Sequence, residues 1–187
     1  VGDNSGCFAS ASAVISQPPV LTVGLTPSSF GGFGTNCNGS STGSVTSSPS
    51  GGSGTYSTYA WTATSFTASS ANISSVPAKT YTLVVTDNNG CTASNTATIT
   101  DPAVITITTN TGYACSGSTY TSAAVTVSAS GGASGTYNYR MDGGAWQSSP
   151  TFSGLGNGSS HTFQAQDASY TTCTSGTTSV GITFPAN

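Results

Sequence analysis

Apolar and polar residues alternate along most of this chain. Tyr81-Thr-Leu83-Val-Val85-Thr86 turns an apolar side chain to one face at every second position, the period of a half-buried strand. Thr96-Ala-Thr98-Ile-Thr100 repeats the pattern, with Thr on the outer face. Gly, Asn, Asp and Pro interrupt such runs about every 8–12 residues. The alternation predicts strands over 20–25, 43–48, 56–63, 71–75, 79–87 and 92–100. It predicts a second set over 103–108, 121–129, 136–141, 145–148, 160–167 and 177–184. Asp87-Asn-Asn-Gly90 and Asp142-Gly-Gly144 are the expected hairpin turns, because Asn and Gly tolerate positive φ. About six short strands per 80 residues suit an Ig-like β-sandwich. The expected fold class is therefore all-β: tandem small Ig-like sandwiches, each with one disulfide.

The pattern also repeats along the chain. Asp3-Asn-Ser-Gly-Cys7, Asp87-Asn-Asn-Gly-Cys91 and Asp167-Ala-Ser-Tyr-Thr-Thr-Cys173 are each followed by a Thr- or Ser-rich stretch ending at Pro18, Pro102 and Pro185. The three cysteines lie 84 and 82 residues apart, a period that suits small tandem domains. The upstream parts match as well. Cys37-Asn-Gly39 leads to Gly51-Gly-Ser-Gly-Thr-Tyr56, Tyr59 and Trp61; Cys115-Ser-Gly117 leads to Gly131-Gly-Ala-Ser-Gly-Thr-Tyr137, Tyr139 and Trp146. The expected organisation is residues 1–19 as the last strand of a preceding repeat, 20–102 as a first full repeat and 103–187 as a second, more divergent one. Each full repeat has one early and one late cysteine, so the expected pairs are Cys37 with Cys91 and Cys115 with Cys173. Each would contribute roughly 4 kcal/mol in the chain-entropy picture. Cys7 then stands as the late cysteine of a preceding repeat and is expected to pair outside this sequence, which would make the chain part of a longer array.

Composition narrows the function. Charged residues are 4% of the 187, with two Lys plus Arg and five Asp plus Glu, against about 25% in an ordinary soluble domain. Ser and Thr, 34 and 33 of them, replace that charge. Two cations cannot neutralise a phosphate backbone, so nucleic acid is excluded as a partner. No run reaches the ~18 apolar residues of a membrane helix, so membrane insertion is not expected. His161 is the one imidazole and no C-x-x-C occurs. That argues against zinc and for disulfides in an oxidising compartment.

Cys37 to Val45, Gly51 to Trp61 and Val76-Pro-Ala-Lys-Thr-Tyr81 through Asp87-Asn-Asn-Gly-Cys91, closing at Pro102, resemble the SprB-type repeat of Bacteroidota surface adhesins. Lys79 replaces a Gly of that pattern, and an insertion surrounds Ser57-Thr58. The resemblance implies a long secreted adhesin exported by type IX secretion, held at the outer-membrane surface and in some cases used for gliding. Its partners would be adjacent repeats, surface glycans and the secretion or gliding machinery. Two other classes stay open: a filament subunit built by strand donation from 1–19, and an accessory glycan-binding module.

No catalytic residues are expected. His161, Asp167 and a nearby Ser would need triad geometry, and both align with structural positions of the first repeat. No resident cofactor is expected either. A weak calcium site could use Asp87 or Asp101, although calcium wants six to eight oxygens. Tyr56 and Tyr137 are the candidate glycan contacts, and Trp61 is expected in the core. Asn38, Asn72 and Asn157 sit in N-x-Ser sequons, unsurprising in so Ser-rich a chain.

Overall fold

The computed structural model describes residues 4–8 and 10–186. Of the segment 1–19, residues 1–3 and 9 therefore lie outside the described residues. Residues 10–20 are exposed and carry no strand. From there the chain is all-β and antiparallel. The first half contains β1 (Thr22–Pro27), β2 (Gly43–Ser50), β3 (Tyr56–Ala63), β4 (Phe66–Ala68), β5 (Ile73–Val76), β6 (Thr80–Asp87) and β7 (Thr92–Thr98). The second contains β8 (Thr106–Ser116), β9 (Thr119–Ser130), β10 (Tyr137–Met141), β11 (Thr151–Leu155), β12 (Ser160–Asp167) and β13 (Thr178–Gly181).

In each half two sheets face each other. Sheet β1-β2-β5 covers sheet β4-β3-β6-β7, and sheet β11-β9-β8 covers sheet β10-β12-β13. The apolar face of each strand points into the sandwich, as the alternation requires. Val23, Val45, Ile73 and Val76 meet Trp61, Tyr81, Leu83, Val85 and Ile99 in one core. Val125, Val127 and Leu155 meet Tyr139, Phe163, Ala165 and Ile182 in another. Thr lines the outside: Thr80 and Thr98 face each other across β6 and β7, their hydroxyls 3.0 Å apart. Trp61 is in the core as expected, its indole N–H donating to the Ser70 carbonyl at 2.9 Å.

Several expected elements differ. The strand expected over 103–108 is β8, which starts at Thr106 and runs on to Ser116, and β4 has no expected counterpart. The strand expected over 145–148 is one bridge, Tyr139 to Gln147, and Trp146 lies half-buried over the Arg140 guanidinium, 4.5 Å from its ring centre. The strand paired with β9 is instead β11, whose register shifts between Phe152 and Leu155. That bulge breaks the period of two, which is why alternation alone misses it. The insertion at Ser57-Thr58 is also a bulge, between Tyr56 and Thr58 on β3. It returns Tyr56 to the core-facing side.

Candidate functional site

A buried aspartate organises one end of each sandwich. Asp87 closes β6 and Asp167 closes β12, exposed 1% and 0%. Asp87 accepts backbone N–H bonds from Ser53 at 2.9 Å, Asn89 at 2.9 Å and Cys91 at 2.8 Å. Asp167 accepts from Ala133, Ser134, Ser169 and Tyr170 at 2.9–3.0 Å. The Ser53 amide, opposed by burial and helped by the Cys91 and Asn89 amides, holds the Asp87 carboxyl below the usual carboxylate range. For Asp167 burial pushes upward most strongly, yet the bonds from Ser134, Tyr170 and Ser169 together leave it lowered.

The same bonds recur around both. Asp87 N–H donates to the Cys91 carbonyl and Asp167 N–H to that of Cys173, each at 2.9 Å. Gly52 N–H reaches Pro19, and Gly132 N–H reaches Ala103. The Tyr56 hydroxyl donates to Gly51 and that of Tyr137 to Gly131. Gly51 and Gly131 take φ of +78° and +89°, and a Cβ on either would overlap the carbonyl of Val20 or Val104. Only glycine serves there.

The opposite end of the first half carries the long loop 28–42. Its backbone rests on the exit from β7, with Gly34 and Thr35 N–H donating to the Thr100 carbonyl. Asp101 accepts from the Thr35 hydroxyl and from Gly39 N–H, and the Asn38 amide donates to the Pro102 carbonyl at 2.9 Å. The loop thereby reaches the Asp167 end of the second half. Phe30 meets Tyr170 edge-on, 5.8 Å between ring centres, Gly31 lies against the Ala133 carbonyl, and Cys37 is disulfide-bonded to Cys173. The seam leaves a cleft of about 240 Å³ beside the bridge, bordered by Asn38, Val104, Gly132 and Thr172. Ligand pockets run about 300–1,000 Å³, so this is a joint rather than a pocket.

The expected pairs Cys37–Cys91 and Cys115–Cys173 are thus corrected. Cys37 and Cys173 are bonded to each other across 136 residues, and Cys91 and Cys115 are exposed free thiols. The reason is the length of a strand. Cys37 sits by the exit of β7 and Cys91 by its entry, and seven strand residues span about 20 Å. A disulfide needs Cα atoms within about 7 Å. Cys115 is likewise on the β8–β9 hairpin, at the end of the second half away from Asp167. Each half does hold an early and a late cysteine; the bond runs between halves. Cys7 is exposed.

The other candidates separate. Tyr56 and Tyr137, expected to be exposed, are half-buried against the two cores, each with its hydroxyl on a glycine carbonyl. Asp87 and Asp101 lie at opposite ends of the first half. Their oxygens face N–H and O–H donors, the wrong polarity for calcium. Among the sequon residues, Asn38 holds Pro102, Asn72 accepts from Ser47 N–H and Asn157 from Phe184 N–H.

Asp167 is not beside His161. Asp142 is: its Oδ2 lies 2.7 Å from His161 Nδ1, and His161 Nε2 lies 3.1 Å from Ser159 Oγ. Sequence reasoning missed this trio, although Ser159 and His161, two apart where the strand begins and opposite a turn aspartate, could have signalled it. Ser159 Oγ donates to the Gly156 carbonyl at 2.7 Å. The adjacent Gly158 and Ser159 amides donate to Ile182 and Gly156, so neither is free to hold an oxyanion. Asp142 also accepts from Thr162 N–H at 2.7 Å. The trio clamps the turn after β10 onto β12. His161 first, then Thr162, keeps the Asp142 carboxyl below its ordinary range. Phe30 and Tyr170 were missed too; the signal was aromatic residues inside turn-rich segments.

Comparison with known protein families and with characterised proteins finds no match for this chain.

Proposed function

We propose that the chain is a structural and adhesive segment of a long, repetitive secreted adhesin at a cell surface, of the kind the SprB-type resemblance implies, serving attachment and gliding. The observation that carries this reading is the duplicated Asp end. Two sandwiches present the same bonds around Asp87 and Asp167, and the far loop of the first is bolted to the Asp end of the second. A unit that joins far end to near end can be repeated without limit, which is what a stalk requires. The uncharged Ser and Thr surface supports it, since such a stalk holds its form as salt varies. The proposal gives the chain no catalytic role. An antibody raised against the chain is expected to label intact cells, and deleting the gene to reduce their attachment to glass. Label confined to lysed cells, or undiminished attachment, sinks the reading.

Ile15 favours a second reading. It follows Cys7 as Ile99 follows Cys91 and Ile182 follows Cys173. Ile99 and Ile182 are exposed 2% and 1%, whereas Ile15 is exposed 93%. A residue of that position belongs in a core, and strand donation to a neighbouring molecule would supply one. Size-exclusion chromatography tests it. The chain should elute as an oligomer that Ile15→Asp dissolves; a monomer at all concentrations rejects donation.

A further inference from the structure

We infer that Cys91 and Cys115 are the two halves of a joint like Cys37–Cys173: Cys91 receives the far-end cysteine of another unit of this build, and Cys115 delivers its sulfur to the near end of the next. The inference rests on the tandem reading above and deepens it.

Cys91 is the positional counterpart of Cys173. Both give their carbonyl to the amide of the buried aspartate, at 2.9 Å, so the same bond fixes where each sulfur leaves the backbone. In the second half that place is occupied: Cys173 is 7% exposed and carries the loop 28–42. In the first half the place is built and open, and Cys91 is exposed. The valines that lie against Gly131 and Gly51 differ in the same direction. Val104, at the covered end, is 55% exposed; its counterpart Val20 is 83% exposed.

Cys115 is the counterpart of Cys37. Cys37-Asn-Gly39 lies in the loop from β1 to β2, and Cys115-Ser-Gly117 forms the last two residues of β8 and the first of its turn into β9, Cys115 facing Tyr120, with Gly39 and Gly117 at φ +71° and +61°. Each cysteine-bearing end is tied to the segment that leaves its sandwich. The first uses Asp101 and Asn38. The second uses Tyr113, whose hydroxyl donates to the Thr183 carbonyl at 3.0 Å and whose ring meets Phe184 edge-on. The occupant of the Asp87 end is therefore the Cys115 end of a second copy. Such a contact is head-to-tail, so each copy keeps one end open for the next.

The bond forms by exchange. One thiolate attacks a small-molecule disulfide such as oxidised glutathione and releases glutathione. The second protein thiolate then displaces the remaining glutathione. Two protein thiols lose two protons and two electrons, and one glutathione disulfide becomes two glutathiones.

The test is oxidation of the concentrated full chain in a glutathione redox buffer, followed by a non-reducing gel and peptide mapping. A ladder of dimers, trimers and longer forms is expected, joined by Cys91–Cys115 peptides. It should persist in Cys7→Ser and be lost in Cys91→Ser and in Cys115→Ser. Chains that carry Cys37–Cys173 but no Cys91–Cys115 link, or that give only Cys91–Cys91 and Cys115–Cys115 pairs, overturn this inference and leave the tandem reading standing. Absence of Cys37–Cys173 itself removes the joint on which both rest.

Discussion

Asp167 holds four backbone amides from two separate turns with one carboxylate. Asp167→Asn keeps the shape but turns an N–H₂ toward two of those donors. Leaving buried amides unmatched makes this variant about 3 kcal/mol less stable, read as a lower urea midpoint. Titration gives a second expectation. Asp87, Asp142 and Asp167 all have lowered folded pKa values, so the fold favours their ionised forms. Their contribution is complete above the unfolded value near 4 and is lost as pH falls through the folded values. Tyr81 and Tyr137 are raised, chiefly by burial. They favour the neutral phenol, and that contribution fades as pH rises above about 10. The urea midpoint should therefore stay level from about pH 5 to 9 and fall on both sides. A midpoint that already drops between pH 7 and 5 contradicts this.

Strands were legible wherever one face is buried and the ladder is regular. β3 spans 56–63 as the alternation predicts, and β6 and β12 agree with it to within a residue. Legibility failed where a ladder bulges. Thr151-Phe-Ser-Gly-Leu155 places Phe152 and Leu155 three apart, which reads as neither strand nor turn until β9 is beside it. Leu155 is 5% exposed, so Leu155→Ala should cost about 3 kcal/mol in urea unfolding, whereas Gly156→Ala, with open space around it, should cost less than 1 kcal/mol. Equal effects from the two would remove β11 from the core. The buried aspartates were legible as turn residues but not as anchors, because their donors come from Ser53 and Ser134, more than 30 residues away. The disulfide was illegible for the same reason: spacing marks which cysteines recur, and only the distance along β7 decides which can touch.

Two cores joined by one loop and one bridge make the whole molecule. Cys37→Ser removes a closure of 136 residues, worth about 5 kcal/mol in the chain-entropy picture. Because the cores are distinct, the variant should melt in two calorimetric steps; a single unshifted transition would show that the bridge contributes nothing.

The same bridge decides what happens when the chain is pulled by its ends. Force entering at one terminus passes from Cys37 straight to Cys173 through sulfur, so the 135 residues between them carry no tension. They form a closed bight that stretching cannot unravel while the bridge is intact. Reducing it would release about 450 Å of extra contour length. An oxidised molecule thus lengthens only by the chain outside the bridge, β1 and β13 included, and a reduced one yields along its whole length.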